Sequence, residues 1–223
     1  MFRKTGGNRG WQICGHTGVA GNNVPRYSVA TLGPVTAVTI LSATTHMIYP
    51  FASIGNGFDT GFVIANTSAD PYGTGPGAGG ARPISGPATL VFFPASGAAP
   101  FCLASGAGAP GTTGGVAVNG IAAGCAVVSL SGKGTTGLSA GGNIAAGSSW
   151  VFLGSEALSQ LGTGGATSFT GYVFAIANFP VGHPTAFVAD ATFSGKFTSG
   201  GPALVIPNPA QTTRQAPVES VGH

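Results

Sequence analysis

Short runs of β-branched and aromatic residues, separated by clusters of Gly, Pro and Asn, constrain the fold of this chain more than any other feature. Such runs are typical of strands, and the clusters between them are typical of turns. The runs occupy residues 35–41, 45–51, 61–66, 88–93, 125–130, 148–154, 168–179, 185–193 and 203–207. No helical pattern alternates with them, which excludes a parallel sheet built from strand–helix–strand units. The sequence predicts an all-β protein, a single antiparallel β-sandwich of jelly-roll or immunoglobulin-like type with long Gly-rich loops.

Two terminal segments lack this pattern. Residues 1–32 predict an extended N-terminal arm, residues 33–208 the β-sandwich domain, and residues 209–223 an exposed C-terminal tail. One helical turn is predicted at residues 155–161 (SEALSQL), with Ser155 as a possible cap but without the spacing of a capping box. The part of the arm that we expect to reach a neighbouring molecule contains Arg26, Tyr27, Val29, Thr31 and Leu32.

Charged residues are scarce. Eight basic and five acidic residues make up 6 % of the chain, against about 25 % in an ordinary soluble domain, and mean hydropathy is +0.36. No apolar run approaches the roughly 18 residues that span a bilayer, so no membrane span is predicted. The basic residues are scattered beyond the first ten positions, which gives no nucleic-acid signal. A chain with so few charges exposes a weakly repelling surface, and we expect it to associate with copies of itself.

Three cysteines occur, and two of them flank a Gly-rich loop. An oxidised pair between Cys102 and Cys125 would close that loop of 23-residue separation. Cys14 would then be left over, either free or paired with another molecule. No C-x-x-C motif is present, which argues against a thioredoxin-like site or attached haem.

The densest polar cluster lies in residues 49–71 (YPFASIGNGFDTGFVIANTSADP). Its Asn and Asp oxygens could bind calcium, but their spacing matches no EF-hand or nonapeptide repeat. Asn and Asp also favour turns, because they bond their own backbone. We therefore expect Asp59 to fix the start of a strand and Asn66 its end, with no metal site. Asn66 also begins a formal glycosylation sequon, Asn-Thr-Ser.

Catalytic groups are few. Only five acidic residues are available for carboxylate catalysis, and His183 with Asp190 and a serine lacks the G-x-S-x-G nucleophile motif. No phosphate-binding loop matches G-x-x-x-x-G-K-[ST]. We expect no enzyme activity, no catalytic residues and no cofactor.

The motifs also carry a resemblance. Residues 49–74 (YPFASIGNGFDTGFVIANTSADPYGT) resemble the pattern FPF…N..GFDTGI.I.NTS.DP.GT of an uncharacterised family of secreted, β-rich, acidobacteria-like bacterial proteins. Residues 171–190 are similar to its stretch GYVIA.CNF…HGFAFI.D, and the end of the chain to LALV.P and E-S-L-G. The resemblance spans most of residues 48–223 and implies an exported β-rich protein without known catalytic residues. Family members carry Cys where this chain has Ala88 and Ala177, so Cys102 and Cys125 would be a local substitute.

Together these features predict a structural subunit of an extracellular, self-assembling homopolymer: a filament, pilus-like fibre or surface sheath held by strand addition and apolar contacts. The start MFRKTGGNRG has no signal-peptide pattern, although the composition is typical of an extracellular or cell-surface protein. A capsid or shell protein is one alternative. A secreted carbohydrate-binding or adhesive module is another, with Trp11, Tyr72 and Trp150 as candidate aromatic contacts, although the strand position of Trp150 favours the core.

Overall fold

A computed structural model describes most of the chain beyond its N-terminal region. The described residues are 2–3, 12–13, 44–74, 80–119, 121, 124–161, 167–192, 198–206 and 220–221. The chain divides into two compact units, Met1–Leu41 and Ser42–His223. In the first unit, strands β1 (Phe2–Arg3) and β2 (Gln12–Ile13) form an antiparallel pair. The predicted arm and tail fall largely outside the described residues, and their bounds stay predictions.

The second unit consists mainly of strands, which confirms the predicted all-β class. Its elements are β3 (Thr45–Ile54), β4 (Phe58–Asn66), β5 (Ala88–Pro94), β6 (Phe101–Ala104), β7 (Ala126–Val127), β8 (Ser149–Leu153), α1 (Gly154–Ser159), β9 (Phe169–Ala177), β10 (Gly182–Asp190), β11 (Thr198–Pro202), β12 (Leu204–Ile206) and β13 (Ser220–Val221). Three of these strands were not predicted: β6, inside the Gly/Ala-rich loop, β11, and β13, which pairs with β12 although it lies in the predicted exposed tail. The predicted strand at residues 35–41 lies outside the described residues.

These strands form two sheets. A four-stranded sheet has the order β11-β10-β4-β8, and a seven-stranded sheet has the order β13-β12-β3-β9-β5-β6-β7. Every described ladder in them is antiparallel except β6–β7, which is parallel. The prediction of a purely antiparallel sandwich is therefore wrong at the β6–β7 edge of the seven-stranded sheet. The long connection between Ala104 and Ala126 explains the difference, because it lets the chain return and run in the same direction.

One hydrophobic core takes side chains from both sheets. Phe62 of the four-stranded sheet meets Tyr49 and Phe92 of the seven-stranded sheet, with ring centroids 5.1 Å and 6.4 Å away and near-perpendicular planes. On its own sheet it stacks on Phe152 at 5.3 Å. Edge-to-face and stacked pairs of this kind add about 0.5–1.5 kcal/mol each to the gain from burial. The Tyr49 hydroxyl donates to the Val63 carbonyl oxygen at 3.0 Å, and burial raises its pKa.

The short helix begins one residue earlier than predicted. Its first residue is Gly154, and the preceding Leu153 occupies the N-cap position. The Glu156 carboxylate accepts the Leu153 backbone N–H at 3.0 Å, which satisfies one of the free donors at the helix start. Ser155 is thus inside the helix, and its predicted capping role is wrong. Its hydroxyl instead donates to the carboxylate of Asp59 in β4.

Candidate functional site

The first candidate site is the polar cluster around β4, and its first member is Asp59. This residue is the second of β4 and only 5 % exposed. Its Oδ1 atom accepts the backbone N–H groups of Thr60 at 2.8 Å and Ser155 at 3.1 Å. Its Oδ2 atom accepts the Ser155 hydroxyl at 2.5 Å. The carboxylate therefore ties β4 to the first turn of α1, and protein donors occupy both oxygens.

The second member, Asn66, lies at the last position of β4 and is fully buried. Its amide nitrogen donates to the carbonyl oxygens of Ile84 at 2.8 Å and Ile144 at 3.1 Å. Its side-chain oxygen accepts the Ser68 hydroxyl at 2.7 Å and the Ser68 backbone N–H at 3.2 Å. The side chain thus joins three segments of the chain and has every hydrogen-bonding group engaged.

Burial of the Asn66 amide decides whether the Asn-Thr-Ser sequon can be glycosylated in the folded chain. An N-linked glycan would replace one of the two Asn66 amide hydrogens, both of which are donated to buried carbonyl groups. The glycan would also need space, whereas Asn66 has no exposed surface. The folded chain therefore does not present Asn66 for modification.

The second carboxylate of this cluster, Asp70, is also occupied by backbone donors. Its Oδ1 accepts the Tyr72 N–H at 2.9 Å, and its Oδ2 accepts the Ala81 N–H at 2.6 Å. Among the described residues, no group of three or more His, Cys, Asp or Glu side chains comes together as a metal site would require. The cluster is therefore a set of structural hydrogen bonds at the ends of β4.

The His183 and Asp190 pair does not assemble into a catalytic arrangement. Both residues lie on β10, seven positions apart, which places them about 23 Å from each other along an extended strand. Because the interval is odd, their side chains also point to opposite faces of the sheet. This geometry excludes the nucleophile–base–acid relay for which the two were considered.

The two cysteines predicted to pair are joined in the structure by a disulfide of 2.03 Å between Cys102 and Cys125. Cys102 lies on β6, and Cys125 directly precedes β7. The bond therefore lies beside the parallel β6–β7 ladder. The seven-stranded sheet also places Ala88 opposite Ala177 in the β5–β9 ladder, so the two positions named by the family resemblance are direct cross-strand neighbours.

The remaining residues singled out from the sequence lie outside the described residues, in the core or at the surface. Cys14, Trp11 and the arm residues Arg26, Tyr27, Val29, Thr31 and Leu32 lie outside the described residues. Trp150 is fully buried and donates its indole N–H to the Gly134 carbonyl oxygen at 2.8 Å, so it belongs to the core, as its place in a strand indicated. Tyr72 is 72 % exposed.

The second candidate site is the set of open sheet edges. Positions 35–50 carry no charged residue, so a sheet edge formed there would be unguarded. Residues 46–48 do not form such an edge, because β3 pairs there with β12 on one side and with β9 on the other. Among the described strands these two sheets have four edges, and two of them, β7 and β13, are two residues long. The edge strand β8 is covered where the Val151 N–H donates to the Thr136 carbonyl oxygen at 3.0 Å.

The fourth edge, β11, is five residues long and borders a groove of about 170 Å³. Pro50 and Phe51 of β3 line one side of this groove. Ala186 and Val188 of β10 and the Gly200–Gly201 pair of β11 line the other. Phe51 is 55 % exposed, so the groove opens to solvent beside a large apolar ring. No sequence signal indicated this feature, because it depends on which strands are neighbours.

The face of the seven-stranded sheet away from the core is the third candidate. Alternation along β9 puts Val173 in the core and Tyr172 and Phe174 on the opposite face. There, Phe93 stacks on Tyr172 with centroids 5.0 Å apart, and Phe174 meets Phe93 edge-on at 5.7 Å. A solvated sheet face normally carries polar side chains. An aromatic group on this face is typical of an interaction surface.

In comparisons with known proteins, no protein family, no curated protein and no solved structure matches this chain. Among the described residues, no helix has the length and apolar character needed to cross a membrane.

Proposed function

We propose that this chain is the structural subunit of an extracellular or cell-surface polymer that it forms with copies of itself. The polymer is a filament, a pilus-like fibre or a surface sheath. Copies join by addition of a strand to an open sheet edge and by apolar contacts, with no catalytic step and no cofactor.

The observation that carries this proposal is the combination of very few charges with large exposed apolar side chains. The chain has 13 charged residues in 223. Among the described residues, the exposed large apolar side chains are Phe51, Phe58, Tyr72, Ile84, Val116, Val127, Leu130, Val151 and Tyr172. Contact between copies would cover such side chains without desolvating many charges, so little opposes association.

The arrangement of the two sheets supports a polymer that grows. Their shared core suggests that they pack face to face as a single sandwich, jelly-roll or immunoglobulin-like in type. A sandwich keeps open edges, whereas a closed barrel has none. A strand from one copy added to the edge of the next is a head-to-tail contact, and such contacts propagate unless the rotation closes a ring.

The donor in this scheme is the N-terminal arm, residues 1–32. Its segment with Tyr27, Val29, Thr31 and Leu32 is strand-like and carries a single charge, at Arg26. Backbone hydrogen bonds to a neighbour need no charge, so a segment of this composition suits strand addition.

Electron microscopy of the purified full-length chain, with sedimentation velocity over a concentration series, tests the proposal. We expect fibres or sheets above a threshold concentration. Deletion of residues 1–32 should leave folded subunits that do not polymerise, while deletion of residues 1–10 alone should leave assembly intact. Closed shells of uniform size would instead favour the capsid alternative. A full-length chain that stays monomeric at high concentration would refute assembly.

A further inference from the structure

We propose that β11 is the acceptor edge, and that residues 27–32 of a second copy bind along it as an added strand with one apolar side chain in the adjoining groove. The inference rests on the proposed function and names the contact that it requires. Three features support it: the free edge of β11, the groove beside that edge, and the composition of residues 27–32.

Strand β11 is chosen because each of the other three described edges is either shorter or already bonded. Edges β7 and β13 offer two residues each, and β8 is already bonded to the segment at Thr136. Strand β11 offers five residues, which is about 16 Å of backbone. From position 198 to position 206 there is no Lys, Arg, Asp or Glu, so Pro202, at the end of the strand, is its one residue of a kind that usually protects an edge.

The groove beside this edge is open because Gly201, the strand position that faces it, has no side chain. Gly201 pairs with Ala186, whose side chain packs against the core, so position 201 faces inward. A Cβ atom built on Gly201 meets nothing within 4 Å. The opposite side is Pro50 and Phe51, at the irregularity where the β3–β9 register shifts between Tyr49 and Ala52. The result is an open apolar recess able to receive one aliphatic side chain from outside.

The proposed occupant is a segment that lies outside the described residues. Residues 27–41 (YSVATLGPVTAVTIL) carry no charge and are rich in β-branched residues. An added strand needs about as many residues as its edge, and the six residues 27–32 are enough to span the five of β11. In an extended strand Tyr27, Val29 and Thr31 share one face, so Val29 is the aliphatic side chain placed to enter the groove. Charged partners are disfavoured, because an uncharged recess offers them no counter-charge.

Two substitutions on β11 test the acceptor without touching the core. Gly201→Leu fills the groove from within, where a Cβ has free space, and Gly200→Lys puts a charge on the edge strand. A Cβ at Gly200 meets its nearest atoms at 3.6 Å and 3.7 Å, which is ordinary contact. Matched controls are Ala98→Leu and Ala98→Lys, in the exposed loop between β5 and β6.

Sedimentation velocity over a concentration series measures the threshold for assembly, and circular dichroism with denaturant unfolding checks that each variant is folded. We expect both β11 variants to raise the threshold at least about tenfold, while both controls stay within about twofold, since tenfold corresponds to one weakened contact of ordinary strength. If the folded variants assemble at the wild-type threshold, the acceptor assignment is overturned and the proposed function stands. A wild-type chain that never assembles overturns both.

A mixing experiment separates binding between copies from binding within one copy. In a Cys14→Ser background, one preparation carries Val29→Cys and another carries Ser199→Cys, a position that lines the groove. Under mild oxidation the mixture should give covalent dimers containing one chain of each kind, in at least about tenfold excess over either preparation alone. If a chain with both changes cross-links within itself and the mixture yields no mixed dimer, the second copy is not the occupant.

Discussion

At the scale of single residues, hydrogen bonds between distant positions hold the strand ends in place. Asp59 and Ser155 are 96 residues apart in sequence, yet the carboxylate takes both the hydroxyl and the backbone N–H of Ser155. At the other end of β4, the Asn66 side-chain amide donates to the carbonyl oxygens of Ile84 and Ile144. Each bond satisfies a buried group that would otherwise remain unpaired, so losing the partner costs more than the bond itself contributes.

Replacement of Asp59 by Ala should lower the free energy of unfolding by about 2–3 kcal/mol. The change removes a buried acceptor of three hydrogen bonds and leaves the Ser155 donors without it. Ser155→Ala removes one of the three and should cost about 1 kcal/mol. Denaturant unfolding measures both, and the double variant should cost less than the sum because the two side chains share a bond. An Asp59→Ala chain as stable as wild type would contradict this account of the residue.

His46 gives the fold a dependence on pH. Burial on β3 lowers the pKa of His46 below its ordinary value of 6.5. As pH falls below 6.5, the unfolded chain gains a proton before the folded chain does, so the free energy of unfolding decreases. The His46→Gln variant should lose this part of the pH dependence. Unfolding curves at about pH 7.5 and about pH 5.5 compare the two, and an equal decrease in both would contradict the assignment.

At the scale of elements, the Cys102–Cys125 bond and the β6–β7 ladder depend on each other. Strand β7 has two residues and a parallel pairing, which is the weaker kind of ladder. The disulfide sits immediately before β7 and holds it next to β6. The loop that connects the two strands contains many glycines, whose freedom in the unfolded chain makes closing the loop costly.

The purified protein should carry this disulfide, and its removal should lower the free energy of unfolding by about 3 kcal/mol, the chain-entropy value for a loop of this length. The Cys102→Ala, Cys125→Ala double variant measures the loss by denaturant unfolding. Cys14→Ser is the matched control and should leave stability unchanged under the same conditions. Mass spectrometry of peptides from the unreduced protein should find Cys102 and Cys125 linked, and two free thiols would be the contrary result.

At the scale of the whole molecule, the scarcity of charge sets how copies would meet. The formal net charge is +3, so repulsion between copies is weak and is further screened by salt. The contacts proposed here, backbone hydrogen bonds and apolar side chains, contain no ion pair that salt could weaken. Salt dependence therefore distinguishes this kind of assembly from one held by charges.

Assembly should persist or strengthen as salt rises from about 0.1 M to about 1 M, where the Debye length falls from about 10 Å to about 3 Å. Sedimentation velocity at the two salt concentrations should show an equal or lower threshold at the higher one. A threshold that rises tenfold or more with salt would point to ion pairs between copies.

The strands that alternate strongly were predictable, and those that depend on pairing were not. The runs that overlap β3, β4, β5, β8, β9, β10 and β12 were recognised from β-branched and aromatic residues. Strand β11, with the sequence TSGGP, has almost no intrinsic strand preference and forms because it pairs with β10. The run at residues 125–130 was overestimated, because only Ala126 and Val127 find a partner in β6.

What the sequence by itself determined is what depends on neighbours along the chain: strand periodicity, turn residues, low charge and a cysteine pair across a Gly-rich loop. What only the tertiary structure decided is which distant groups meet: Ser155 as the partner of Asp59, the interior place of β3 and, among the described strands, the open edge at β11. The physical reason is that periodicity is local, with a repeat of two residues, whereas strand order and side-chain partners are settled by packing between segments tens of residues apart.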